Sequence, residues 1–319
     1  MDSRTIQFIF IPPLIFDGSF ALDSQIFLKT FWQIFYLAGP GVVINLVLIG
    51  VTLKYILVYP QLSIQMAMSI GSIIAATDPV VILSLLKEVG APLRFNMILE
   101  GESLVNDGTG MLFFMIFYNW ITVPQGLSDV IVALIRLCIG AVLLGMAVGF
   151  LTYPIFKRTI HHPSIALLLS VFLCYLIFFI SESEMFGIKC SGILAILTYG
   201  LYLSAKLKTR MVGELDEKIH TLWHFLAHYV ETILFFVTGG YVGVYLSNYD
   251  IRTFIGYGDI LKVIVFQIAL FLIRAISIVV LIPLLNRTGS YKIDWKACLV
   301  MTYAGLRGAI AMTLMLVVQ

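Results

Sequence analysis

The chain has 319 residues, of which 60% are hydrophobic and 12% are charged, and its mean hydropathy is +1.01. Because a soluble domain carries about twice this charged fraction, the composition excludes an ordinary soluble domain and indicates a protein with several membrane spans. The net charge of +2, with no basic run that alternates with aromatic residues, argues against nucleic-acid binding.

Ten apolar windows, each long enough to span a bilayer, follow one another with short connections, which predicts one membrane domain. The first window contains Pro12 and Pro13 and lacks a small-residue cleavage site, so it is not expected to be a signal peptide. In chain order the windows cover residues 6–22, 31–58, 62–86, 93–119, 128–156, 164–181, 187–205, 218–246, 257–285 and 294–318.

Lysines and arginines at the ends of these windows predict the orientation in the membrane. The connections after odd-numbered windows carry twelve of them, and those after even-numbered windows carry three. The first set is therefore expected to be cytoplasmic, which places both ends of the chain outside. An external start without a signal peptide, together with an end inside an apolar run, predicts that the chain is a piece of a longer membrane protein.

The third window is interrupted by Thr77, Asp78 and Pro79. Proline lacks an amide hydrogen and clashes with the preceding turn, so we expect a helix break that leaves carbonyl groups near Ala75 and Ala76 unpaired. In a membrane such a break is tolerated only inside protein or beside a water-filled cavity. Two interpretations fit: an ion site of a transporter, or a proline kink whose aspartate caps the next helix.

The fourth window carries five polar side chains, which are Glu100, Glu102, Ser103, Asn106 and Asp107. Ionisable groups at membrane depth typically mark an ion or proton path. Ser103 and Asp107 share one helical face, and Glu102 and Asn106 share the adjacent one. A desolvated Asp107 could bind either a proton or a small hard cation, with oxygen ligands from Ser103 and near Thr77. The alternative is a buried polar network that serves packing only.

Glu102 needs a counter-charge, because an unpaired carboxylate at this depth would be protonated or destabilising. Arg274 and Arg307 lie in the ninth and tenth windows, and either could pair with it. Gly305 and Gly308 flank Arg307 and interrupt the tenth window, as the proline interrupts the third. These matched interruptions predict an inverted repeat with two broken helices that cross in the middle of the membrane.

Three motifs stand in the order ATDPV (76–80), GESLVNDG (101–108) and YAGLRGAIA (303–311). With the segments Ile11–Phe20, Cys190–Gly200 and His228–Gly240, they resemble the sodium/proton exchangers of the cation/proton antiporter superfamily (solute carrier family 9 type). The likeness covers nearly the whole chain. The stretch GTGMLFF (108–114) resembles the sperm-type branch.

The resemblance implies a role for each motif residue, with Asp107 as the carrier of ion and proton. Ion and proton binding is assigned to Asp107, Asp78, Ser103 and Thr77. Support of this site is assigned to Asn106, Glu102, Arg274 and Arg307. Since relatives with asparagine before the essential aspartate are generally electroneutral, Asn106 implies one cation for one proton. No cofactor is implied beyond the transported Na+ and H+.

The resemblance also implies an all-α antiporter fold with inverted repeats, a homodimer, and an elevator-like motion of a core domain against a dimer domain. The resemblance implies about thirteen spans in a complete family member, so the ten windows would correspond to the third through twelfth. The core domain would cover approximately residues 31–119 and 257–319, the dimer domain 1–30 and 160–246, and a linker helix 128–156.

Two further patterns bear on metals and redox chemistry. His220, His224 and His228 recur every four residues, a spacing that fits either a zinc site or a polar, pH-sensing stripe; the stripe is favoured, and no metal site is predicted. The cysteines are widely separated, which predicts buried thiols instead of disulfides: Cys138, Cys174, Cys190 and Cys298.

The leading hypothesis is an electroneutral Na+/H+ antiporter that works by alternating access and regulates intracellular pH. The plasma membrane is the expected location, and the sperm-type likeness implies the flagellum. Alternatives are K+(Li+)/H+ exchange, a cation channel, and a transport-inactive fragment, sensor or assembly subunit. No nucleophile–base pair or phosphate-binding glycine loop is evident in the sequence, so an enzyme is not expected.

Overall fold

The computed structural model describes residues 3–56, 62–122, 126–159, 162–183, 190–208, 214–248 and 257–318. Within these ranges the chain forms α-helices, two π-helical segments and short turns, without a strand. The predicted all-α fold is therefore confirmed. Three charges used for the orientation, Lys189, Arg210 and Arg252, lie outside the described residues.

The α-helices of the described ranges follow one another in chain order. They are α1 (Ser3–Ala21), α2 (Ser24–Tyr36), α3 (Val42–Val51), α4 (Ile64–Ala75), α5 (Val80–Val89), α6 (Leu93–Thr122), α7 (Leu127–Thr159), α8 (Pro163–Glu182), α9 (Gly192–Leu207), α10 (Glu214–Asn248), α11 (Tyr257–Thr288), α12 (Trp295–Tyr303) and α13 (Ala309–Val318).

Several of these helices have the length and composition of membrane spans, which makes the chain an integral, multi-pass membrane protein. Six stretches of the described chain are long and apolar enough to cross a bilayer: Ser24–Ile56, Ile64–Val89, Ser128–Thr159, Pro163–Glu182, Asp216–Val244 and Leu261–Thr288. Two shorter apolar helices are Thr5–Ala21 and Gly192–Leu207. With α6 and the pair α12–α13, these segments correspond to the ten predicted windows.

The second span begins earlier than the predicted window, which starts at residue 31. α2 starts at Ser24 because Asp23 Oδ1 accepts the amide hydrogen of Gln25 over 2.8 Å and so caps the helix. Lys29, one of the twelve charges counted in the connections after odd-numbered windows, is therefore an exposed residue within α2. The assignment of Lys29 to a loop was wrong, although Lys29 stays close to the N-terminal end of the second span.

The chain divides into two compact units. Unit 1 comprises Met1–Lys29 and Gln125–Thr232, and unit 2 comprises Thr30–Pro124 and Ile233–Gln319. The helix predicted as a linker, α7, falls in unit 1, and unit 2 holds all eight residues predicted to bind the ion or to support its site.

Unit 1 is built on an aromatic core. Trp223 of α10 is fully buried, its ring centroid lies 4.3 Å from that of Phe16 on α1, and its Nε1 donates to Ser170 Oγ over 3.1 Å. Tyr199 of α9 completes the group, 5.9 Å from Phe16 between centroids. These contacts fix the short helices α1 and α9 inside the unit.

Unit 2 contains a π-helical segment, Leu37–Gly41, between α2 and α3. Pro40 lies inside this segment, and a π-helical turn widens the helix locally. Thr109 Oγ1 of α6 donates to the Ala38 carbonyl oxygen over 2.7 Å. The bond ties α6 to the α2–α3 span, close to the residues of the fourth-window motif.

The contact between α3 and α4 in unit 2 depends on a glycine. A Cβ added at Gly71 would lie 2.7 Å from the Leu46 carbonyl oxygen, so only glycine lets the two backbones approach this closely. Small residues at helix contacts are typical of membrane proteins, where close packing replaces the hydrophobic effect. The close approach holds α4 in place up to its end at Ala75.

Candidate functional site

The third span is broken, as the sequence predicts. α4 ends at Ala75, residues 76–79 are non-helical, and α5 begins at Val80. Asp78 Oδ1 accepts the amide hydrogen of Val80 over 3.1 Å, which satisfies a donor at the start of α5 that has no partner within the helix. Asp78 therefore caps the second half of the span with a negative charge, where the helix dipole favours one.

The tenth span is broken as well, and the two breaks meet. α12 ends at Tyr303 and α13 begins at Ala309. The amide of Asp78 donates to the carbonyl oxygen of Leu306 over 2.7 Å. This backbone bond joins the two non-helical segments, and it confirms the predicted crossing of two broken helices.

At Gly308 the two broken spans approach each other closely. A Cβ built on it would lie 2.6 Å from Asp78 Oδ2 and 2.7 Å from Asp78 Cβ, which is too close for any side chain. The carboxylate of Asp78 is thus packed directly against the backbone that precedes α13. No feature of the sequence identified Gly308 as a partner of Asp78.

We predict that Gly308→Ala destabilises the protein by about 1–3 kcal/mol, the usual cost of overpacking, and lowers transport in proportion to the displacement of Asp78. The measurement is thermal unfolding of the purified full-length protein, followed by a transport assay. Gly243→Ala is the matched control, since a Cβ at Gly243 meets nothing within 4 Å. Equal stability of the two variants would contradict the crossing geometry.

Asn106 stabilises the break in the third span. Its Nδ2 donates to Thr77 Oγ1 over 3.1 Å and to the Ala75 carbonyl oxygen over 3.4 Å. The Ala75 carbonyl is one of the groups that Pro79 leaves unpaired. Because a carbonyl oxygen only accepts hydrogen bonds, the side-chain NH2 group of Asn106, and not its oxygen, faces the break. Asn106 Oδ1 is buried and has no partner in the described part of the chain.

Glu102 forms its ion pair with Arg274 and not with Arg307. Arg274 Nη2 donates to Glu102 Oε1, and the side chains are 6% and 2% exposed. Arg307 is engaged elsewhere, since its Nη1 donates to the Gly305 carbonyl oxygen over 2.7 Å. The buried charge of Glu102 is therefore neutralised inside unit 2, which leaves it unsuited to alternate between a proton and a cation.

Asp107 differs from Glu102 in having no such partner. Asp107 and Ser103 are half-buried on α6, and neither side chain forms a hydrogen bond or ion pair with the residues that the structure describes. Gly110 brings this part of α6 against the end of α4, where an added Cβ would lie 3.3 Å from Ala76 Cβ. The bond between Asn106 and Thr77 brings the sequence neighbours of these residues, Asp107 and Asp78, to the same break, so the site carries two carboxylates without a cationic side chain bonded to either in the described chain.

The histidine stripe belongs to unit 1. His224 Nδ1 lies 3.6 Å from Asp17 Oδ2, and the rings of His220 and His224 stack at 6.2 Å between centroids. Within the described ranges, no three residues of the types that bind metals come together as a metal site. The contact with Asp17 favours the polar-stripe interpretation over the zinc interpretation.

The family model described as "Sodium/hydrogen exchanger, transmembrane" matches residues 1–319. Sodium/hydrogen exchanger 7 of Arabidopsis thaliana is 29% identical over 320 residues, which are 100% of this chain and 27% of that protein. The Na(+)/H(+) antiporter ApNhaP of Aphanothece halophytica is 30% identical over 326 residues, 97% of this chain and 56% of that protein.

A solved structure shares the fold. The sodium proton antiporter MjNhaP1 of Methanocaldococcus jannaschii superimposes with a TM-score of 0.74 at 20% identity, over 100% of this chain and 75% of that one. This likeness confirms the predicted antiporter fold. The present chain spans about a quarter to just over half of the length of the two curated relatives named above.

Proposed function

This chain belongs to the sodium/hydrogen exchanger family, and from that premise we propose that it exchanges Na+ for H+ across a membrane by alternating access. One observation carries the proposal. Asp107 lies beside the crossing of the two broken helices as a half-buried carboxylate without a counter-ion in the described chain, while Glu102, five residues earlier on α6, is neutralised by Arg274.

The exchange follows from the properties of a single carboxylate. When Asp107 is deprotonated, its oxygens bind Na+ together with the hydroxyl groups of Ser103 and Thr77, which are ligands that hard cations prefer. When Asp107 is protonated, the negative charge is gone and one lone pair holds the proton, so neither is available to bind a cation. The two ligands exclude each other, so release of one on either side of the membrane permits binding of the other.

The proposal includes electroneutral exchange. Asp107 returns across the membrane with one positive charge bound, whether that charge is H+ or Na+. Asn106 adds no second titrating group, and its amide is fixed by Thr77 and Ala75. The charges of Glu102 and Arg274 cancel in both states, which leaves one proton for one cation.

The proposal extends to the roles of the two domains and to the location of the protein in the cell. The moving core domain would cover approximately residues 31–119 and 257–319, with the broken helices, and the dimer domain of a homodimer would cover approximately residues 1–30 and 160–246. By exchanging Na+ for H+ the protein would regulate intracellular pH at the plasma membrane, and GTGMLFF supports a place in the sperm flagellum.

The test is transport by the full-length protein in vesicles that contain a pH-sensitive dye. A Na+ gradient should move protons, the rate should not change when the membrane potential is clamped at different values, and the apparent KM for Na+ should rise as the pH falls, because the proton competes for Asp107. Na+, Li+ and K+ are compared in turn. A rate that depends on membrane potential refutes electroneutrality, and a response to K+ alone would support K+/H+ exchange instead.

A further inference from the structure

One acidic residue of α6 has no role in the exchange described above. Between residues 95 and 110 most side chains of this helix are buried, but Glu100, Ser103 and Asp107 are half-buried. Their spacing of three and four residues places them on one side of the helix. The other two half-buried residues, Val105 and Thr109, lie on the opposite side. The three polar residues thus form an accessible seam that leads along α6 to Asp107.

Glu100 is not neutralised by the described parts of the chain. It forms no hydrogen bond or ion pair there, in contrast to Glu102, which Arg274 neutralises. Arg94 is the nearest base on the same helix, and its Nη1 donates to the carbonyl oxygen of Ser290 over 3.1 Å. A carboxylate at membrane depth without a counter-charge is costly. A cation that reaches Glu100 is therefore held there by a negative charge that no described residue neutralises.

Asn96 supplies an independent sign of a ligand. It lies one turn before Glu100 on the same side of α6, it is 5% exposed, and its Oδ1 has no partner in the described structure. Buried amide oxygens almost always accept a hydrogen bond or coordinate an ion. A carboxylate and an amide oxygen one turn apart are the oxygen ligands that hard monovalent and divalent cations prefer.

We propose that Glu100 and Asn96 form an outer cation site between the Arg94 end of α6 and Asp107. Glu100 precedes Asp107 by two helical turns, about 10 Å along the axis, with Ser103 between them. A carboxylate at this place concentrates Na+ at the entrance to the exchange site, as charged clefts do for their substrates. The inference rests on the proposed exchange at Asp107, but it assigns Glu100 to recruitment and not to exchange.

The experiment measures Na+/H+ exchange by the full-length protein in right-side-out and inside-out vesicles. In Glu100→Gln the KM for Na+ on the Arg94 side should rise about 3- to 10-fold, as loss of one charge at this separation predicts. The KM on the opposite side and the maximal rate should stay within about twofold of wild type. Glu100→Asp should restore most of the affinity, and added impermeant salt should shrink the difference, because salt screens an accessible charge.

Controls separate recruitment from a structural effect. Glu88→Gln removes an exposed acid near the end of α5 and should leave both KM values unchanged, whereas Asn96→Ala should raise the same KM as Glu100→Gln. An unchanged KM in a protein that exchanges normally overturns the inference. A loss of maximal rate with equal changes on both sides overturns it too, because that result indicates a structural role.

The failure of this inference is distinguishable from the failure of the proposed function. If the wild-type protein shows no exchange, the proposed function is wrong, and Glu100 is then tested by binding of radioactive 22Na+ to the purified protein. Weaker binding in Glu100→Gln than in Glu88→Gln supports the outer site, and equal binding in the two variants refutes it.

Discussion

Replacing Asp107 by asparagine is expected to reduce Na+-driven proton movement at least about 100-fold, to the background of protein-free vesicles. Asparagine has nearly the same size and shape, so the packing of α6 against the end of α4 is retained. Its neutral amide, however, takes up no proton and offers no charge to a cation. Asp107 has no bonded partner in the described chain whose loss could unfold the protein, so transport should disappear while the thermal stability remains close to that of wild type.

The control for this variant is Asp129→Asn. Asp129 is an exposed acid in the first turn of α7, and its replacement should leave the exchange rate unchanged. Both variants are compared at equal protein content in vesicles, after size-exclusion chromatography has shown that they are folded. Wild-type exchange by Asp107→Asn would mean that another group carries the proton, and the assignment of the site would be wrong.

Replacing Arg274 by methionine should destabilise the protein by about 3–5 kcal/mol, because it leaves the carboxylate of Glu102 buried without its partner. Methionine keeps most of the volume of the side chain, so the loss reports the charge and not a cavity. The measurement is thermal or chemical unfolding of the full-length protein in detergent. Arg287→Met, at the exposed end of the same helix α11, is the matched control and should have little effect.

The double variant Glu102→Gln with Arg274→Met tests the cause of this loss. Removal of both charges leaves no buried ion unpaired, so the double variant should be more stable than Arg274→Met alone. The two residues lie 172 positions apart in sequence, and coupling between them can only come from their contact in the fold. Additive losses would contradict the buried ion pair.

The two breaks were predictable because their causes are local. A proline inside an apolar window removes an amide hydrogen wherever the segment lies, and glycines on both sides of Arg307 weaken the tenth span in a similar way. The start of α2 was equally predictable from the sequence, since Asp23 is a typical N-cap residue. The predicted window began at residue 31 because hydropathy was given more weight than capping.

The partners within the site could not be predicted, because they depend on how distant segments meet. Arg274 and Arg307 are equivalent candidates for Glu102 in the sequence, and only the fold shows that Arg307 bonds to Gly305 instead. The contact of Gly308 with Asp78 and the bond from Asp78 to Leu306 likewise arise only when the two breaks cross. The bond from Thr109 to the Ala38 carbonyl also depends on how α6 meets the α2–α3 span.

The central claim is that one carboxylate holds either a proton or a Na+, and proton release on Na+ binding measures it most directly. The purified full-length protein in weak buffer, titrated with NaCl and followed by a pH indicator, should release one proton for each Na+ bound, and Asp107→Asn should release none. Na+ binding without proton release in the wild type, or equal release by the wild type and Asp107→Asn, would contradict the account.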